Sequence, residues 1–186
     1  MRRYILTGAP GAGKTTLIEA LAARGHAVVR EAATDVNAEL LAEGIADPSA
    51  APDFIDRIVA YQVARRTGLN AELQFHDRSA ICTRALCRYA GLPEPTSLTD
   101  DLAAIKRNGV YERRVFFVAN LGFMTPTPVR RISYDESLRF EAIHEDVYRA
   151  QGYELVTIPR GTLDQRIERI EQAVASQSAR RPGASL

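Results

Sequence analysis

Eight residues near the amino end, Gly8-Ala9-Pro10-Gly11-Ala12-Gly13-Lys14-Thr15, constrain this chain more than any other segment. They fit G-x-x-x-x-G-K-[ST] and fall between a short apolar run, Tyr4 to Thr7, and a helical pattern, Lys14 to Ala23, with Leu17 and Leu21 on one face. Glycines at these positions let the backbone curl until successive N–H groups point inward, and the positive end of the next helix dipole lies behind them. Such a cradle holds an anion. Lys14 has the reach to touch β and γ phosphates, and the Thr15 hydroxyl is placed to join a magnesium shell, with Thr16 as the neighbouring alternative. The lysine is informative, because Lys14 and Lys106 are the only lysines among 24 basic residues. The candidate phosphate-binding set is therefore Gly8, Ala9, Pro10, Gly11, Ala12, Gly13, Lys14, Thr15 and Thr16.

A chain of 186 residues with 46% hydrophobic and 25% charged residues is expected to form one globular domain, spanning 1–176, with 177–186 as a frayed tail. Its formal charge of +1 gives no global field to hold a polyanion, so no nucleic-acid partner is expected. Cys82 and Cys87 lack the spacing of a metal or redox pair and read as reduced, packed thiols. The amino end carries too few apolar residues for a signal peptide, and no run reaches membrane-spanning length, so a cytoplasmic location is expected.

Along the chain, strand and helix patterns alternate, the signature of an α/β fold with a buried parallel sheet. Strands are expected at Tyr4–Thr7, Ala27–Arg30, Leu73–Phe75, Val115–Val118 and Tyr153–Ile158. A short helix is expected between Asp35 and Asp53, ending in a surface excursion, GIADPSAAPD. Ile55, Ile58, Val59 and Val63 form a helical stripe within 54–67. Ser79 to Tyr89 reads as another helix, stopped by Gly91 and Pro93. Capping boxes at Ser133–Glu136 and Thr162–Gln165 open two more, the last carrying Leu163, Ile167, Ile170 and Val174 on one face. A five-stranded sheet in the order 2-3-1-4-5 with helices on both faces is the expected three-layer architecture.

Ligands of such sheets sit beyond the C-terminal strand ends, which singles out the acidic residues there: Glu31, Asp35 and Asp77. Asp77, in F-H-D-R-S, is placed to hold magnesium with Thr15 or to act as a base, and equally to cap the helix that follows. Glu31, in V-V-R-E, is placed to take a proton from an acceptor hydroxyl, with Asp35 ranking behind it. Arg78 is a candidate phosphate clamp, or an orienter of Asp77. A loop at about 121–135, with prolines, a glycine and Arg130 and Arg131, has the composition of a closing lid, and an arginine delivered by a lid neutralises charge in phosphoryl transfer. His26, His76 and His144 form no ligand cluster and read as structural or exposed.

Together, these pieces resemble small P-loop nucleoside and nucleotide kinases. GAPGAGKT is similar to the Walker A loop of P-loop NTPases, and the chain as a whole resembles the AAA-type ATPase domain family that includes the nicotinamide riboside kinase domain. That likeness continues through Arg130-Arg131, the helix from Glu136 to Ala150, and Gly152-Tyr153-Glu154-Leu155-Val156 before Pro159. It departs at Met124–Pro128, where no substrate-reading motif is recognisable. The resemblance implies ATP and magnesium as cofactors, with ATP expected before GTP. It also implies transfer of the γ-phosphate to a hydroxyl of a small, nucleoside-like or other metabolite, with Lys14, Glu31, Asp77 and Arg131 as catalytic residues. The alternative is a nucleotide-dependent regulatory switch or ATPase acting through a protein or lipid partner. A Ras-like form of it is disfavoured, since Lys106 is followed by Arg107 and Asn108 and no [NT]-K-x-D motif occurs.

Overall fold

A computed structural model describes residues 1–121 and 133–179. Five strands, β1 (Arg2–Thr7), β2 (Ala27–Val29), β3 (Leu73–Asp77), β4 (Arg114–Val118) and β5 (Glu154–Ile158), form one sheet in the order β2-β3-β1-β4-β5. Every pairing in it is parallel. The expected order is therefore the observed one. Seven helices cover it among the described residues: α1 (Lys14–Ala23), α2 (Ala32–Ala42), α3 (Phe54–Gly68), α4 (Ala80–Ala90), α5 (Thr96–Asn108), α6 (Tyr134–Ala150) and α7 (Leu163–Ala179).

Alternation along β1 divides the core. Tyr4 and Leu6 face α1 and α7, packed with Leu17, Ile18, Leu21, Ile167 and Ile170, whereas Ile5 faces the opposite layer built by α2 to α6. Strands buried on both faces give the continuous apolar runs seen in the sequence. The Tyr4 ring stacks on Phe75 (6.0 Å) and Phe116 (5.5 Å), tying three central strands together on the α1/α7 face. Such ring pairs contribute about 0.5–1.5 kcal/mol each beyond burial.

Helix ends follow their caps. Ser133 and Glu136 form the reciprocal box at α6, and Thr162 and Gln165 do the same before α7. Helix α7 continues to Ala179, past the 176/177 boundary expected from the sequence.

Two expectations change. The stretch after Gly91 contains a helix, α5, that the paired prolines Pro93 and Pro95 obscure. Its Leu98, Leu102 and Ile105 are buried at helical spacing, and a bidentate ion pair from Arg66 to Asp101 (2.5 and 3.1 Å) docks it on α3. Breaking a buried pair of this kind costs about 3–5 kcal/mol, because one charge is left without compensation. Helix α2 also begins at Ala32, before Asp35; the excursion behind it stays at the surface as expected, but with Pro48–Ala50 in a 3-10 turn capped by Asp47 and Ala51 buried.

Candidate active site

The phosphate loop runs from β1 into α1. Gly8 has φ 133° and lies so close to β4 that a Cβ there would meet the Val118 carbonyl oxygen at 2.5 Å. Only glycine fits. Gly13, the residue before α1, is left-handed (φ 84°, ψ 21°) and turns the loop into the helix. From α7, Arg166 donates to the Ala12 carbonyl at 3.0 Å and supports the loop from behind. Lys14 is buried and its Nζ donates to the Ala9 carbonyl at 2.7 Å. Burial, with Arg78 adding to it, pulls the Lys14 ammonium down to about 8. A cation costing that much to bury is poised for an anion that restores its charge. Pro10, Gly11, Gly13, Lys14, Thr15 and Thr16 border a cavity, while Ala9 and Ala12 are buried under the loop.

Asp77 ends β3 directly beneath this loop. Its Oδ2 accepts from the Thr15 hydroxyl at 3.4 Å, and its Oδ1 is buried with no partner among the described residues. Burial lifts its carboxyl above the usual range, against the pull of Lys14 and with a smaller push from Glu31. An orphaned carboxylate oxygen beside a threonine hydroxyl suits a hard, oxygen-seeking cation whose remaining shell comes from water and phosphate. The pair fits magnesium. No cluster of three or more His, Cys, Asp or Glu that would hold a metal by itself occurs among the described residues.

Glu31, at the N-terminus of α2, meets the next residue along β3's exit: its Oε1 lies 2.5 Å from Nε of Arg78. Thr34 donates to its other oxygen at 3.3 Å. Burial opposes ionisation here, yet Arg78 and Lys14 prevail and hold the Glu31 carboxyl below its ordinary range. Arg78 has φ 71°, the only non-glycine residue with positive φ among those described. This conformation costs a non-glycine residue energy and marks a position fixed by its surroundings.

One cavity of about 790 Å³ joins the phosphate loop, Glu31 and Arg78, with Asp77 buried behind Thr15. Its first wing is the phosphate loop. The second is closed by α2, the 3-10 turn, α3, α4 and α6, through Asn37, Leu41, Asp47, Phe54, Ile58, Gln62, Thr83, Leu86, Tyr89 and Phe140. Tyr89 and Phe140 stack at 4.5 Å along one side, and Gln62 accepts from Thr83 at 3.2 Å. Glu31 and Arg78 border the same cavity as both wings.

Gly8 to Thr16, Glu31, Asp77 and Arg78 are thus brought together. Asp35 is not: it pairs with Arg65, whose guanidinium also donates to the carbonyls of Arg30 (3.0 Å) and Glu31 (2.7 Å), in a separate recess at the sheet edge. Its place is in holding the start of α2, away from the cavity. Arg130, Arg131 and Met124–Pro128 lie outside the described residues. The walls of the second wing escaped sequence reasoning; His144, expected to be structural or exposed, is buried, and its neighbour at 3.3 Å, Arg78, was not foreseen. One signal existed: Ser137, Phe140, His144 and Tyr148 are spaced along a single buried stripe of α6.

The fold is similar to that of known kinases. Deoxyadenosine kinase from M. mycoides with bound dATP superposes with a TM-score of 0.62 at 12% identity, over 94% of this chain and 100% of that one. Thymidylate kinase from Candida albicans gives 0.61 at 12%, over 95% and 92%. NadR protein in complex with NR gives 0.62 at 18%, over all of this chain but 54% of NadR, so the chain spans about half of that protein. No curated protein matches the sequence significantly. A model of the AAA domain family matches residues 3–166, and the chain belongs to that family of P-loop NTPases.

Proposed function

We propose that the protein is a magnesium-dependent kinase that transfers the γ-phosphoryl group of ATP to a hydroxyl of a small, nucleoside-like acceptor. The observation that carries this reading is the continuity of the cavity. A phosphate loop alone suits any NTPase, but here it opens into a second wing, partly apolar and aromatic, with the Glu31–Arg78 pair bordering the same space.

In this reading the loop amides and Lys14 grip the β and γ phosphates. Thr15 and Asp77 would hold magnesium, which would supply positive charge to offset that of the phosphates. The acceptor lies in the second wing with its hydroxyl toward Glu31. As the acceptor oxygen bonds to the γ phosphorus and the bridging oxygen leaves with ADP, Glu31 takes the hydroxyl proton. Its ion pair with Arg78 keeps it ionised and ready, at some cost in basicity, which suits a transition state in which proton transfer is late. Arg78 and, from the lid, Arg131 with Arg130 offset charge on the equatorial oxygens. Most of the acceleration is positioning and electrostatics.

The Tyr89–Phe140 pair and the amides of Asn37 and Gln62 suit a flat ring with a polar edge. Incubation with magnesium, ATP and a panel of nucleosides and related hydroxyl compounds tests the reading. A phosphorylated product formed faster than ATP hydrolysis is expected. ATP hydrolysis that no acceptor accelerates or diverts contradicts it and favours the regulatory NTPase.

A further inference from the structure

His144 takes no part in the proposed transfer, yet it is fully buried against the site. Its Nδ1 lies 2.8 Å from the Phe140 carbonyl, one turn earlier in α6. A carbonyl only accepts, so Nδ1 carries the proton and Nε2 presents a lone pair. That lone pair faces Nη1 of Arg78 at 3.3 Å, and a guanidinium only donates. Burial, followed by the charges of Arg78 and Lys14 and against the Phe140 carbonyl, pushes the imidazolium down to about 3. The ring is neutral wherever the protein works, and a neutral acceptor is what a buried guanidinium needs on the side away from its carboxylate.

Arg78 needs that second anchor. Its ion pair with Glu31, Nε to Oε1 at 2.5 Å, holds one edge of the guanidinium. The Nη1 end needs a partner of its own. The strained backbone at φ 71° lends no help, since it persists only where neighbours hold it.

We propose that His144 is a positioning residue, whose Nε2 aims the Arg78 guanidinium at Glu31 and the transferring phosphate. The same helix carries Phe140 into the wall of the second wing and puts the Tyr148 hydroxyl 3.0 Å from Ser79, the residue after Arg78. Helix α6 thus acts as one rigid mount that sets the acceptor wall and the arginine together. This inference rests on the kinase reading of the Glu31–Arg78 pair.

Three variants test it against the wild type. His144→Leu keeps volume and loses the acceptor. His144→Gln keeps an amide oxygen near the position of Nε2, whereas His144→Asn reaches only to Nδ1. With an acceptor found for the wild type, kcat is expected to fall by about 10- to 100-fold in the Leu and Asn variants, with the KM for ATP unchanged, and to recover in the Gln variant. Wild-type kcat in the Leu variant overturns the proposal. Should the Leu variant fail to fold, equal rates in the Gln and Asn variants overturn it as well. A wild type that phosphorylates nothing contradicts the kinase reading instead. In that case crystal structures decide the positioning role: an Arg78 guanidinium displaced in the Asn variant but not in the Gln variant supports it, and an unmoved one contradicts it.

Discussion

The two wings of the cavity are built by different means. The phosphate-loop wing, the proposed nucleotide wing, comes from one continuous stretch, Gly8 to Thr16, whose path is set by three glycines of positive φ, Gly8, Gly11 and Gly13. The second wing, the proposed acceptor wing, is assembled from side chains on α2, the 3-10 turn, α3, α4 and α6, far apart along the chain. The contrast teaches where each wing is vulnerable. Substitutions in the loop act locally on charge and backbone, whereas those in the acceptor wing act through packing and alter selectivity before they alter chemistry.

Lys14→Met has the largest expected effect on the nucleotide wing and separates function from stability. Turnover falls by about 10³-fold or more, as lost charge stabilisation in phosphoryl transfer predicts. Stability rises at pH 7. The folded protein holds the ammonium near 8, below its ordinary 10.5, so between those values the unfolded chain binds more protons and stability increases with pH. Below about 8 the full penalty of a shift of that size applies, up to about 3 kcal/mol, and methionine avoids it. Thermal melting at pH 7 checks this: an unchanged or lower melting temperature denies that Lys14 is held at a cost.

At the junction of the wings, Glu31→Gln is expected to lower kcat by at least about 10²-fold with small changes in either KM, the mark of an interaction confined to proton transfer. A variant that alters only KM would recast Glu31 as a binding group. In the acceptor wing, Tyr89→Ala removes the ring stacked on Phe140 and is expected to raise the acceptor KM by about 10-fold, equivalent to ~1.4 kcal/mol, leaving the KM for ATP alone. Equal weakening of both substrates breaks the division into wings.

The smallest effect is a proton count. Phosphates restore the Lys14 charge, so binding of ATP draws about half a proton from solvent onto that residue at pH 8 and almost none at pH 6. Calorimetry in buffers of different ionisation enthalpy measures it, and equal uptake at both pH values contradicts a poised lysine.

The same contrast explains what the sequence made legible. A contiguous backbone motif announces itself, and so do strands buried on both faces, which is why the phosphate loop and the sheet order could be read directly. Glu31 and Asp77 were visible because strand ends are local features. Asp35 obeyed the same rule yet turned to Arg65, a partner 30 residues away that no local pattern reveals. Helix α5 was hidden by prolines although Leu98, Leu102 and Ile105 carried its period. The excursion after α2 looked like surface loop by composition and is one, yet Ala46 to Ser49 border the cavity, which no local pattern reveals. His144 shows the limit most clearly: a histidine on an apolar helix face is ordinary until the fold sets Arg78 beside it.

Phosphorus NMR of the protein with magnesium, ATP and candidate nucleosides reports where the γ-phosphoryl group goes. A phosphomonoester resonance is expected to grow as ATP is converted to ADP and to be absent with Lys14→Met. Growth of inorganic phosphate alone, at a rate indifferent to every acceptor, contradicts the kinase reading.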